Sequence, residues 1–187
     1  SSFSLKDENW SFEIINSTTV KYNQYFLDQL KDCRFLKSED LVKLDIDLGT
    51  FIGDTINDFI SENKLTNIDA ISSHGHTVFH QVNKGFTYQI GNGNAITTKT
   101  NIPCINDFRQ KDVCLEGQGA PLVPVGDLHL FKDYDICLNL GGIANASFKS
   151  SNEIISYDIC PMNLSLNYLS AKLGFEYDKG GEIASQG

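Results

Sequence analysis

The stretch from Leu41 to Ile60 constrains the fold more than any other part of this chain. Leu41, Leu44, Leu48, Phe51, Ile52, Ile56, Phe59 and Ile60 recur there at helical spacing. Ser38, followed by Glu39 and Asp40, reads as an N-cap with an acidic first turn, which the helix dipole favours. A helix of that length with one apolar stripe has to bury it. The expectation is therefore an amphipathic helix laid over a sheet, with Gly49 and Gly53 permitting close approach.

Strand signals surround it. Residues 10–22 are rich in β-branched and aromatic types. Residues 68–73 read as a short strand entering a His74-Gly75-His76 tip, and Asn83-Lys84-Gly85 separates two extended segments, the second being Phe86–Ile90. A further strand is expected through 102–106, ending at Asp107, and residues 116–126 read as a Gly/Pro-rich connector. Tyr134–Leu140 predicts a strand, Gly141-Gly142 a tight turn, and Ile143–Phe148 the return. The helix after Pro161 carries Leu166, Leu169 and Leu173, with Gly174 as its stop. Strands thus alternate with helices, with hairpins mixed in and no internal repeat. The class is α/β with a mixed sheet.

Composition narrows the function. Hydrophobic residues make up 41% and charged residues 21% of 187, enough apolar material for a core. No apolar run reaches the roughly 20 residues of a membrane span, and no n-region plus h-region opens the chain, so neither a membrane nor a signal peptide is expected. Fifteen Lys+Arg against 24 Asp+Glu give a net charge of −9, which argues against binding nucleic acid. A small anion can still be held by a local cluster or by backbone amides. Five cysteines (Cys33, Cys104, Cys114, Cys137, Cys160) are odd in number and lack a C-x-x-C pair. They read as reduced thiols of a cytosolic protein, mostly buried as small apolar side chains. The chain opens at Ser1 and stops at Gly187 as if cut at both ends.

Four places carry candidate chemistry. In Asn139-Leu140-Gly141-Gly142-Ile143-Ala144-Asn145, two glycines after a strand let backbone amides approach a phosphate, and a plain hairpin turn accounts for them equally well. His74, His76 and His80 follow H-x-H-x-x-x-H, which suits either zinc ligation or a polar wall at a strand end. Asp107-Phe108-Arg109, with Asp112, follows a strand. Arg109, held by neighbouring carboxylates, suits bidentate capture of a carboxylate or phosphate, or a structural ion pair. Asp158, before Cys160-Pro161 and a helix, reads as a general base or a helix N-cap. Cys160 near that helix N-terminus, with His74 or His80 as base, is the alternative nucleophile.

Taken in order, these segments resemble the anhydro-N-acetylmuramic acid kinases. The matching stretches are Ser73-His74-Gly75-His76-Thr77 with His80, Gln89-Ile90-Gly91, and Asp107-Phe108-Arg109 with Asp112. They continue through Gly117–Pro124, Asn139–Asn145, Tyr157-Asp158 with Pro161 and Asn163, and Tyr177-Asp178 with Gly181, Ala184 and Gly187. The likeness runs from about Trp10 to Gly187. His76 stands where the family usually has Gln, and Ile159, Cys160 and Met162 replace a smaller pattern after Asp158.

The resemblance implies an actin/hexokinase-like (ribonuclease H-like) ATPase fold with mixed sheets and two lobes. Residues 1–128 would form the first lobe, without the family's opening Gly-Thr-Ser-x-Asp-Gly turn, and 129–187 the start of the second. It implies a cytoplasmic kinase, a homodimer, that uses ATP and Mg²⁺ to open the 1,6-anhydro ring of anhydro-N-acetylmuramic acid with water. O6 is then phosphorylated, a step in peptidoglycan recycling. By the same resemblance, Asp158 is the catalytic base. His74, Asp107, Arg109, Gln118 and Asn163 bind the sugar, and Asn139, Gly141, Gly142 and Asn145 bind the nucleotide, with no protein metal site. A zinc- or Cys/His-dependent hydrolase, or a non-catalytic sugar-binding domain, is the alternative.

Overall fold

The computed structural model describes residues 1–150 and 153–186; Gly187, the last residue of the closing motif, lies outside them. In chain order the elements are β1 (Ser2–Lys6), β2 (Asn9–Glu13), α1 (Gln24–Lys31), α2 (Ser38–Glu62), β3 (Ile71–Ser72), β4 (His76–Gln81) and β5 (Phe86–Ile90). There follow α3 (Gly93–Thr100), β6 (Cys104–Ile105), α4 (Gln110–Cys114), α5 (Val123–Leu130), β7 (Ile136–Leu140), β8 (Ile143–Lys149), β9 (Ile154–Pro161) and α6 (Asn163–Lys172). The chain is mixed α/β. Parallel and antiparallel pairing both occur, but in separate small sheets rather than in one mixed sheet. No helix of the described residues is long and apolar enough to cross a membrane.

Two compact units divide the chain: residues 14–120 with Ser1, and residues 2–13 with 121–187. The first is organised around α2. Its acidic first turn is present, but Lys37 is the N-cap and Ser38 already lies inside the helix, so no side chain caps it. Leu44 and Leu48 are buried with Phe26, Leu30, Cys33 and Ile90, and the Phe26 and Phe51 rings sit 4.9 Å apart. The main neighbour of α2 is a helix rather than the expected sheet. A Cβ on Gly49 would lie 2.5 Å from the Asn92 carbonyl oxygen, and one on Gly53 2.7 Å from Lys99 Cβ, so α2 and α3 touch backbone to backbone.

The start of α3 is built from side chains. Asn92 Oδ1 accepts from the Asn94 and Ala95 amides, while the Asp45 carboxylate accepts from Gly91 N and Asn92 Nδ2. β3 and β6 pair in parallel, Ile71 opposite Cys104. β4 and β5 form the antiparallel hairpin read from the sequence, with a bulge between Thr77 and Phe79 and Gly85 in the left-handed region at its turn.

The second unit holds the β1–β2 hairpin and the antiparallel sheet β7-β8-β9. Asp7 and Glu8 both take positive φ, as a tight hairpin turn between twisted strands requires. The expected strand over 10–22 ends at Glu13; residues 14–22 leave the ladder and stay exposed. The expected connector becomes helical at Val123, because Pro124 sits in the first turn, where its missing N–H is no loss. β7, the Gly141-Gly142 turn and β8 match the expected hairpin, and β9 adds a third strand. Helix α6 stops at Leu173, with Gly174 left-handed beyond it.

All five cysteines are free thiols, yet only Cys33 is buried, and Cys114 and Cys160 are exposed. Burial pushes the Cys33 and Cys104 thiols up, which keeps both protonated at neutral pH.

Candidate active site

In the first unit, three segments meet around Arg109, the residue before α4. Its Nε–H donates to His74 Nε2 at 2.9 Å, and Nη1 donates to the Gly119 carbonyl at 2.7 Å. The Gly119 amide in turn donates to Asp112 Oδ2 at 2.6 Å, and the Gly117 amide to the Asp112 carbonyl at 2.8 Å. Arg109 is thus held by an imidazole and a carbonyl, not by the neighbouring carboxylates that the sequence suggested. A carboxylate partner would neutralise the guanidinium, whereas these partners leave its charge available to an anion. Asp107 stands just before it, exposed, in a left-handed conformation, and Gln118 is exposed between Gly117 and Gly119. The clamp on Gly119 is not readable from the sequence alone, although a Gly-x-Gly beginning five residues after Asp112 is visible there.

The three histidines serve three separate environments. His74 engages Arg109, and His76 lies against the Leu30 backbone, where burial pulls its imidazole below the ordinary value. His80 Nδ1 lies 3.2 Å from Thr87 Oγ1. The Phe79 carbonyl lies at the same distance from that hydroxyl, so its one proton can serve either the carbonyl or the ring nitrogen. Gln89 Nε2 also donates to Thr87 Oγ1, which leaves Gln89 Oε1 buried without a partner among the described residues. Among the described residues, no group of three His, Cys, Asp or Glu is placed to hold a metal ion, and His74, His76 and His80 each have a different partner.

In the second unit, the register aligns three of the expected residues. Asn139 on β7 is opposite Asn145 on β8, and Asn145 is opposite Asp158 on β9. Residues directly opposite one another in antiparallel strands share a face, so one row of two carboxamides and a carboxylate crosses the sheet. Immediately after Asp158 the register slips, Ala144 pairing with Cys160, so Ile159 is the extra residue of a β-bulge. Asp158 is therefore a strand residue. Pro161 ends β9 instead of starting a helix, and the N-cap of α6 is Met162, whose side chain caps nothing. The capping role for Asp158 falls away. Cys160, also on the strand, is not at the helix N-terminus that would have activated it.

The Gly141-Gly142 turn lies at one end of this row and is tied to α6. The Met162 and Leu164 amides donate to the Gly142 carbonyl at 2.9 and 3.2 Å, and the Asn163 amide to the Gly141 carbonyl at 3.2 Å. Asn163 Nδ2 adds a bond to the Leu140 carbonyl. The turn's carbonyls thereby satisfy the first amides of α6, which are otherwise unpaired at a helix start. What the turn can still offer a phosphate is its own glycine amides. Beside α6 lies a cavity of about 510 Å³, lined by Asn163, Leu166, Leu173, Tyr177 and Asp178 among others. Asp178 shapes its rim by accepting from the Ile183 and Ala184 amides.

Comparison with known proteins puts a family beside this geometry. The family model for anhydro-N-acetylmuramic acid kinase matches residues 18–187, all the quoted motifs included, and leaves the β1–β2 hairpin outside. The anhydro-N-acetylmuramic acid kinase of Acinetobacter baylyi is 40% identical over 154 residues, covering 78% of this chain and 41% of the relative. That of Pasteurella multocida is 42% identical over 156 residues, covering 79% and 41%. The chain spans about two fifths of the length of these relatives.

Proposed function

The chain belongs to the anhydro-N-acetylmuramic acid kinase family, and from that membership we propose that the protein phosphorylates anhydro-N-acetylmuramic acid with ATP while water opens its 1,6-anhydro ring. The row of Asn139, Asn145 and Asp158 beside the Gly141-Gly142 turn is the observation that carries this reading, because it lines up an exposed carboxylate with polar amides. Asp158 takes a proton from the attacking water. The water oxygen bonds to the anomeric carbon, the bond from that carbon to O6 breaks, and O6 attacks the γ-phosphorus as ADP leaves. A positioned base contributes about 10²–10⁴-fold to such a step.

Arg109 binds the carboxylate of the sugar, Asp107, Gln118 and Asn163 complete the sugar contacts, and His74, bonded to Arg109 Nε, belongs to the same wall. Asn139, Asn145 and the amides of Gly141 and Gly142 face the nucleotide. Mg²⁺, which prefers oxygen ligands and keeps several waters, would enter with the ATP phosphates rather than at a site built by the protein alone. When bound with ATP, that ion offsets the phosphate charge as it shifts.

The actin/hexokinase-like fold, with lobes at 1–128 and 129–187, belongs to the same proposal, as do a cytoplasmic location, a homodimer and a role in peptidoglycan recycling. The test is to incubate the natural-length protein with anhydro-N-acetylmuramic acid, ATP and Mg²⁺. A 6-phosphate product and one ADP per sugar are expected. Sugar binding without ADP formation would leave a non-catalytic sugar-binding domain, and ring opening without ATP would leave a hydrolase.

A further inference from the structure

We propose, resting on the assignment of Arg109 to the sugar carboxylate, that His74 is a positioning residue: held as the neutral Nδ1–H tautomer, it orients the Arg109 guanidinium and does not itself touch the sugar. Guanidinium nitrogens only donate, so the 2.9 Å contact from Arg109 Nε requires a lone pair on His74 Nε2. A neutral imidazole then carries its proton on Nδ1. Nδ1 lies 3.1 Å from the Gly75 carbonyl oxygen, which only accepts. Contacts at the two ring nitrogens, one to the next residue and one 35 positions away, thus demand the same tautomer.

Both partners of the imidazole are themselves fixed. Gly75 takes a φ of +70°, and a Cβ there would stand 2.2 Å from the Ile90 carbonyl oxygen, so no other residue fits this turn without moving β5. Arg109 has its second anchor on Gly119, whose amide is tied to Asp112. Of the five guanidinium N–H groups, one at Nε and one at Nη1 are engaged. The remaining three lie on the Nη nitrogens, enough for two parallel bonds to a carboxylate. A guanidinium fixed in advance loses less conformational freedom when its ligand arrives.

Steady-state kinetics on the natural-length protein, with the sugar as varied substrate, test this. His74→Leu removes the acceptor and is expected to raise KM about tenfold, the effect of losing one hydrogen bond to a charged group, with kcat little changed. His74→Gln keeps an acceptor oxygen and is expected to restore most of the loss. In an Arg109→Gln background, His74→Leu is expected to add nothing, because both act through one guanidinium. A fully additive effect would make His74 a sugar contact and overturn the proposal. If Arg109→Gln raises KM while His74→Leu does not, the positioning role falls and the sugar assignment stands. An unchanged KM in Arg109→Gln removes the assignment and the positioning role with it. Nitrogen NMR of the wild-type imidazole, which needs no variant to fold, is expected to show the Nδ1–H form; an Nε2–H signature would overturn the proposal.

Discussion

Asp158 had two chemically separable roles, base or cap, and its place in β9 removes the second, because α6 begins behind Met162. Asp158→Asn in the natural-length protein is therefore expected to leave the thermal midpoint nearly unchanged. Turnover is expected to fall about 10²–10⁴-fold, because a carboxamide cannot take a proton from water. Circular dichroism and a coupled ADP assay check the two halves, and near-wild-type turnover would end the base assignment. His76 supplies a second prediction. Burial holds its imidazole below the ordinary 6.5. Below that value the unfolded chain binds a proton that the folded chain resists, so stability falls as pH drops from 6.5 towards the lowered folded value. His76→Gln, which removes the titrating ring, should flatten urea midpoints across that window, and equal acid sensitivity in the variant would count against it. The family was legible because short motifs kept their order along the chain. The His74–Arg109 bond was not, since it joins positions 35 apart and no local spacing encodes it.

At the scale of elements, what could be read was what repeats. The 3.6-residue period exposed α2, and alternation about Gly85 and about Gly141-Gly142 exposed two hairpins. Helix α3 escaped because Gly93-Asn94-Ala95-Ile96-Thr97-Thr98-Lys99-Thr100 is poor in helix formers. Its helicity comes from the Asn92 cap and from close contact with Gly49 and Gly53 of α2. That origin makes α3 sensitive to its cap. Asn92→Ala removes the two amide bonds at the helix start and the bond to Asp45, and should cost about 1–2 kcal/mol. A lower urea midpoint with an unchanged slope is expected, and an unshifted midpoint would show that packing on α2 suffices. β9 was overlooked for a different reason. Its Ile154-Ile155 start is a strand signal, but the polar Ser156 and Asp158 and the following Pro161 drew the reading towards a helix start.

Over the whole molecule, the unevenness of burial was the least legible feature, because it depends on which sheet faces find a partner. In the first unit the interior is made of large side chains: Leu44 is 2% exposed, and Leu48, Ile90 and Ile96 are 0%. In the three-stranded sheet of the second unit, the buried residues Ala144, Ala146 and Ser147 are small. Leu138, Ile155 and Tyr157, all on strands of that sheet, remain more than half exposed. They share one face, since Leu138 is opposite Ala146, Ala146 opposite Tyr157, and Phe148 opposite both Ile136 and Ile155. Local opening free energy follows buried apolar contact, so the two regions should not open alike. In the 187-residue chain, amides of β7 and β9 are expected to exchange with solvent at least about tenfold faster than those near Leu44 and Leu48 of α2. The central strand β8, paired on both sides, should fall between. Hydrogen exchange read by mass spectrometry or NMR measures this directly. Protection in β7 and β9 equal to that of α2 would mean that the apolar face is covered in solution, and the strands would then owe their stability to that cover rather than to their own small interior.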